Sequence, residues 1–149
     1  MLEYFNSKLI TYINGKHTKE EVLKILVDLI RENTDILKDE QHFYENIMAR
    51  EELGSTGIGQ GIAIPHARSE KIEEIVVAVG LVENKIDFNS LDGEGVNLIL
   101  LVGAPKGKNR EYLSLVSELM RTFRNKKLRE AVTCASNYQE LLEAIAELK

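Results

Sequence analysis

The residue types in this chain that can do chemistry gather around one histidine. His66 ends the run Ile62-Ala63-Ile64-Pro65-His66. Arg50 and Arg68 flank it, and Ser55-Thr56-Gly57-Ile58-Gly59-Gln60-Gly61 lies between Arg50 and His66. A histidine near its ordinary pKa is partly neutral at physiological pH and keeps one ring nitrogen free as a nucleophile. Guanidinium groups such as those of Arg50 and Arg68 match phosphate geometry with paired N–H bonds. The glycines Gly57, Gly59 and Gly61 allow close backbone approach to an anion, and Ser55 and Thr56 offer hydroxyl donors. Together these groups form a sensible kit for holding a phosphoryl group covalently on His66.

The other candidate chemistries fall away on spacing. His17 precedes a helix cap and His42 sits in the first turns of a helix, so both read as structural or solvent-exposed. No histidine pair falls at i, i+3 or i, i+4, and the single cysteine, Cys134, supplies neither a thiolate metal site nor an internal disulfide, so no metal is expected. Gly57-x-Gly59-x-Gly61 brings its third glycine one residue too early for the dinucleotide fingerprint. Gly103-Ala-Pro-Lys-Gly107-Lys108-Asn109 is one residue short of a nucleotide P-loop and has Asn109 where magnesium needs a hydroxyl. No G-x-S-x-G elbow is present. No nucleotide or other cofactor is expected.

Composition sets the frame for that site. The 149 residues carry a net charge of −5, which argues against nucleic acid as the main partner. Arg121, Arg124, Lys126, Lys127 and Arg129 form the one strong basic patch, read as cations near a helix C-terminus, where they suit the macrodipole. At 44% hydrophobic the chain is not globally disordered, and its length suits one core that needs no disulfide. The start MLEYFNSKLI lacks the features of a signal peptide, and no apolar run approaches the roughly 20 residues of a membrane helix. The expectation is a soluble, cytoplasmic protein, with Cys134 as buried filler.

The elements that must position His66 are legible as pattern. Residues 7–13 (SKLITYI) predict a first strand. Thr18 and Glu21 form a capping box ahead of a helix with Val22, Leu23, Ile25, Leu26, Leu29 and Ile30 at helical spacing. A second helix is predicted over 40–53 with Phe43, Ile47 and Met48 as its stripe and Gly54 as terminator. Residues 75–82 and 96–102 predict buried strands, joined through loop chemistry at 89–95. Helices follow over 109–123, with Leu113, Val116, Leu119, Met120 and Phe123 on one face, and over 127–134. A third spans 138–148, capped by a Ser136-x-x-Gln139 box. Strands mixed with helices and no linker predict one layered α/β domain. Pro65 and Pro105 fall at strand ends, so Pro65 delivers His66 to the carboxyl side of a sheet, where ligands bind.

The whole segment Arg50-Glu-Glu-Leu-Gly-Ser55-Thr56-Gly57-Ile58-Gly59-Gln-Gly61-Ile62-Ala63-Ile64-Pro65-His66-Ala-Arg68 resembles the signature of the phosphotransferase-system IIA domains of the fructose/mannitol type, a family that includes the nitrogen-regulatory IIA proteins. Thr18-Lys-Glu-Glu, Asp92-Gly93 and Leu101-Val-Gly-Ala-Pro105 extend the match over nearly the whole chain. The resemblance implies a three-layer α/β/α sandwich around a mixed β-sheet over residues 1–149. It implies that His66 takes a phosphoryl group from the phosphohistidine of an HPr-like carrier protein and passes it to a IIB domain, without metal or ATP. Contact with a membrane would then be indirect, through IIB and IIC. Arg50 and the Ser55–Gly61 amides are candidates to neutralise the phosphoryl oxygens. Arg68 either helps them or docks an acidic partner. Family members commonly carry a second histidine where this chain has Tyr112. Its hydroxyl either hydrogen-bonds the phosphoryl group or the His66 ring, without a histidine's charge, or is a plain wall of the site. The alternative implied role is a nitrogen-type regulator acting by phosphorylation-dependent partner binding.

Overall fold

Two apolar runs form the centre of the sheet because both of their faces are covered. In the computed structural model, which describes residues 1–148, these runs are β5 (Val76–Ile86) and β6 (Val96–Ala104), paired antiparallel. Val76, Ala78, Ile99 and Leu101 face one core with α1 (Lys19–Asn33) and α2 (Glu40–Leu53). Val77, Val79, Leu98, Leu100 and Val102 face the other, with α3 (Asn109–Arg124), α4 (Lys126–Thr133) and α5 (Tyr138–Ala146). Burial on both sides turns polar–apolar alternation into continuous apolar runs. The result is the α/β/α sandwich.

The sheet is mixed and six-stranded, in the order β1-β5-β6-β3-β2. Strand β1 (Ile10–Ile13) runs parallel to β5, and β2 (Gly57–Gly59) runs antiparallel to β3 (Ile62–Ala63). Strands β3 and β4 (His66–Arg68) both pair in parallel with β6, β3 at Leu98–Ile99 and β4 at Val102–Ala104. They are one strand line broken at Ile64-Pro65. His66 therefore opens β4 rather than trailing a strand. Proline's missing donor explains the break: Pro65 gives only its carbonyl, which accepts from Val102 N at 2.9 Å.

The Thr18–Glu21 capping box is present with both of its hydrogen bonds, and Asp39 caps α2. Five local expectations change. Ser7–Leu9 is a 3₁₀ turn, because the Asn6 side chain accepts from Lys8 N and delays the strand to Ile10. The cap of α5 is Asn137, whose side chain accepts from Glu140 N, while Ser136 reaches forward to the Glu140 carboxylate. On α3 the buried face holds Tyr112 and Leu115, and Leu113 is 55% exposed. Cys134 is exposed rather than buried, just past the end of α4. Of the basic cluster, Arg121 and Arg124 lie in the last turn of α3, and Arg129 donates to the Phe123 and Arg124 carbonyls at that end. Lys126 and Lys127 instead open α4. No helix among the described residues is long and apolar enough to cross a membrane.

Helix α2 is seated on the sheet by a missing side chain. A Cβ on Gly103 of β6 would lie 2.6 Å from the Phe43 ring and 2.9 Å from Ile72 Cδ1. Gly103 is paired with Ala67 of β4, so this contact sets how closely α2 approaches the strand that carries His66. Gly103→Ala is expected to lower unfolding stability by about 1–3 kcal/mol, the usual cost of overpacking. Gly107→Ala, where a Cβ meets nothing within 4 Å, should stay within about 1 kcal/mol of the parent. Urea unfolding of the two variants checks this; equal midpoints would show that α2 adapts freely.

Candidate functional site

The backbone around Pro65 fixes the chemistry of His66. Its Nδ1 lies 2.7 Å from the Ile64 carbonyl oxygen, which can only accept, so Nδ1 carries the proton and Nε2 keeps the lone pair. Ile64 is itself tied back, its N–H donating to the Thr56 carbonyl at 3.0 Å. The ring is half-buried, and its pKa lies below the ordinary histidine value. Desolvation is the first cause; the Ile64 hydrogen bond opposes it, the Arg50 charge reinforces it, and Glu51 opposes it weakly. The outcome is a neutral imidazole with a defined nucleophilic nitrogen.

His66 opens onto a cleft of about 880 Å³ between α2 and α3, shared with Arg50, Arg68, Lys106, Tyr112 and Leu113. Arg50 comes from the last turn of α2 and donates to the Gly54 carbonyl at 2.7 Å. Arg68 comes from β4, donates to Asn109 Oδ1 at 2.6 Å, and stands 5.7 Å above the Tyr112 ring. Both guanidinium groups rest on neutral acceptors. Among the described residues neither has a carboxylate within salt-bridge distance. Two cations with no salt-bridge partner beside a neutral histidine, in a cleft that Lys106 and Glu52 also line, are an arrangement that favours an anionic ligand.

Tyr112 is 5% exposed, with its ring centroid 5.8 Å from that of His66 and tilted by 56°. Burial pushes its phenol up to about 12, against the opposing charges of Arg68 and Arg50. It is therefore a neutral donor throughout the physiological range.

The structure brings together His66, Arg50, Arg68 and Tyr112, and it gives the rest of the predicted kit other neighbours. The Ser55 hydroxyl donates to the Phe88 carbonyl and accepts from Gly57 N. The Thr56 hydroxyl donates to the Glu51 carboxylate. The glycines pack against β6 and the loop leading into it: a Cβ on Gly57 would run into the Ser90 side chain, and one on Gly61 would meet Asn97 Oδ1 at 2.9 Å. The Gln60 amide is taken by Asp92, and Gly59 has a φ of 90°. None of Ser55–Gly61 lines the His66 cleft. His42 hydrogen-bonds Ser69 at 3.0 Å and Asn46 donates to the Arg68 carbonyl at 3.0 Å, so α2 pins the C-terminal end of β4. His17 meets the Asn14 carbonyl at 2.8 Å.

Sequence reasoning missed Leu53, Leu113 and Lys106 as rim residues, with Leu53 86% exposed at the end of α2. The one available signal was that Leu53 and Leu113 are redundant on their helices' apolar faces.

The model of the family described as phosphoenolpyruvate-dependent sugar phosphotransferase system, EIIA 2, matches residues 3–148. The chain belongs to this family. Relatives of this IIA domain come from two branches. It is 31% identical over 145 residues to the fructose-specific EIIABC component of Bacillus subtilis, covering 91% of this chain and 23% of that protein. It thus spans about a quarter of that relative's length. It is 32% identical over 133 residues to the nitrogen regulatory protein of Pseudomonas aeruginosa, covering 89% of this chain and 85% of that one. The crystal structure of nitrogen regulatory protein IIA-Ntr from Neisseria meningitidis superposes with a TM-score of 0.83 at 28% identity, covering 97% of both chains. The IIA mannitol structure from Escherichia coli shares the fold, with a TM-score of 0.77 at 17% identity over 95% of this chain and 98% of that one.

A depressed folded-state pKa means that the unfolded chain binds the His66 proton more readily. This contribution to stability is thus present above the ordinary histidine pKa and is lost as pH falls through the window down to the folded value. An NMR titration of the IIA domain is expected to place His66 below the usual 6.5. Arg50→Gln should move it upward, though not to the free value, because burial remains. A His66 midpoint at or above the free value would contradict this account of the site.

Proposed function

We propose that this IIA domain is a phosphocarrier in which His66 Nε2 accepts a phosphoryl group from the phosphohistidine of an HPr-like carrier protein and hands it to a IIB domain, for coupled uptake and phosphorylation of a sugar. The supporting observation is the locked imidazole, with Nδ1–H on Ile64 and Nε2 free, beside two guanidinium groups that have no carboxylate partner.

In the transfer the donor's N–P bond breaks and its ring nitrogen leaves with the electron pair, while a bond forms between phosphorus and His66 Nε2. The His66 ring then carries positive charge, which the Nδ1–H···O=C bond to Ile64 stabilises. Such a reaction leaves the protein positioning and charge stabilisation to supply. Arg50 and Arg68 meet the phosphoryl oxygens, and the neutral Tyr112 hydroxyl adds a donor. The exposed Leu53 and Leu113 at the rim give an incoming protein surface an apolar contact. Handing the group onward reverses the step with the IIB nucleophile as acceptor.

The second reading, a nitrogen-type regulator whose partners sense its phosphorylation, draws on the Pseudomonas and Neisseria relatives, which match over most of their own length. Both readings use the same phosphohistidine and differ in what happens next. A regulator keeps its phosphoryl group when mixed with cognate IIB, and a transport component gives it up.

Intact mass after incubation with phosphoenolpyruvate, enzyme I and a matched HPr tests the shared step. One acid-labile phosphoryl group is expected on the wild type and none on His66→Ala. Arg50→Gln should slow acceptance by about 10²–10³-fold, the usual cost of removing a pre-organised charge-stabilising donor. Tyr112→Phe should slow it about 10-fold, as expected for a lost hydrogen bond to a charged group of about 1.5 kcal/mol. Full labelling of His66→Ala, or none of the wild type, would overturn the proposal.

A further inference from the structure

Glu51 has no part in the phosphoryl chemistry above, yet it is held like a working residue. Its side chain is 2% exposed, and an ionised carboxylate so enclosed costs several kcal/mol unless every oxygen is matched. The match is made from two elements. Lys19 Nζ, in the first turn of α1 and itself 10% exposed, lies 2.8 Å from Oε1 and 4.4 Å from the Phe88 ring centroid. Thr56 approaches with both of its donors, the backbone N–H at 3.3 Å from Oε1 and the hydroxyl on Oε2.

For stability alone this is a weak design, since a well-packed apolar pair does as well as a buried ion pair. Apolar side chains could not grip a backbone amide and a hydroxyl of one residue at once. That grip falls where it matters for His66. The Thr56 carbonyl receives Ile64 N–H at 3.0 Å, and the Ile64 carbonyl receives His66 Nδ1–H at 2.7 Å. A continuous line of hydrogen bonds and backbone therefore runs from Lys19 through Glu51, Thr56 and Ile64 to the imidazole.

We propose that Glu51 is the positioning residue of the site: by holding the amide and hydroxyl of Thr56 it fixes the backbone that presents the Ile64 carbonyl to His66, and so selects the tautomer with Nε2 free. The Lys19 ammonium, 2.8 Å from Oε1, holds the carboxylate in place for this task. The other charged and titratable groups lining the cleft with His66 are Arg50, Glu52, Arg68, Lys106 and Tyr112. From behind the cleft, the Glu51 charge favours positive charge on the ring where Arg50 opposes it, and positive charge is what the ring takes on when Nε2 is phosphorylated. In this arrangement Thr56 serves His66 through its backbone, with its hydroxyl turned away from the cleft.

The inference rests on the phosphoryl-acceptor reading for its effect on rate, but not for its effect on the ring. The test is ¹⁵N NMR of the His66 ring above its pKa, with phosphoryl acceptance from phospho-HPr measured on the same samples. The wild type is expected to show the Nδ1–H tautomer alone. Glu51→Gln and Thr56→Val are each expected to show an added Nε2–H population. Acceptance should slow by about 10-fold or more, toward the roughly 100-fold that a misplacement of about 1 Å costs. Thr56→Ser, which keeps the hydroxyl, should restore both. Wild-type ring signals in folded Glu51→Gln and Thr56→Val overturn the proposal. If Glu51→Gln does not fold, Thr56→Val against Thr56→Ser decides alone. A wild type that shows the Nδ1–H tautomer but takes no phosphoryl group refutes the carrier reading and leaves the positioning role standing.

Discussion

The arrangement of this molecule depends on one short hydrogen bond within a broken strand, from His66 Nδ1 to the carbonyl two residues earlier. An imidazole in water exchanges its proton between two nitrogens and presents either one. A carbonyl at 2.7 Å ends that exchange, and it does so only if the backbone at Ile64-Pro65 holds that carbonyl beside the ring. Proline restricts that backbone by fixing its own φ and withholding a donor. Strand β6 keeps the break from spreading, because it pairs with β3 before it and with β4 after it. The sheet thus acts as a ruler that holds both sides of a local distortion in register.

Electrostatics then complete what the backbone begins. Half-burial would make a charged imidazole costly, and Arg50 adds to that cost, so the resting ring is neutral. The two guanidinium groups of the cleft are kept in place by a carbonyl and an amide rather than by carboxylates, which leaves their charge uncancelled. Glu51, one residue from Arg50, is turned the other way and neutralised by Lys19. Adjacent residues on the last turn of α2 thus face different environments: one carries free positive charge toward the cleft, and the other anchors the helix end to α1 and to Thr56.

Several features were legible in the residues because they depend on near neighbours. A capping box needs only Thr18 and Glu21, and a strand buried on both faces shows itself as an unbroken apolar run. Features that depend on which of two similar faces is covered were not. On α3, Leu113 and Leu115 are both leucines on a helix with apolar residues to spare, and only the placement of α3 against β6 leaves Leu115 inside and Leu113 on the rim. At α5, Ser136 and Asn137 are both competent caps, and the backbone at Asn137, with φ −158° and ψ 172°, decided between them. The hydroxyls of Ser55 and Thr56 looked available to a phosphoryl group, but Phe88 and Glu51 claim them from other parts of the chain.

The sequence by itself determined the family, the layered α/β architecture and the importance of His66, because a long specific segment and the periodicity of apolar residues are both properties of order along the chain. Tertiary structure alone decided which nitrogen of His66 is free, that Arg68 joins Arg50 in its cleft and which glycines serve packing. Those outcomes turn on distances of 2.6–3.0 Å between particular atoms, such as those of Arg68 with Asn109 and Ile64 with Thr56. Hydrogen bonding is sensitive to tenths of an ångström. Residue order does not resolve such distances until the sheet and its two helical layers have closed around them.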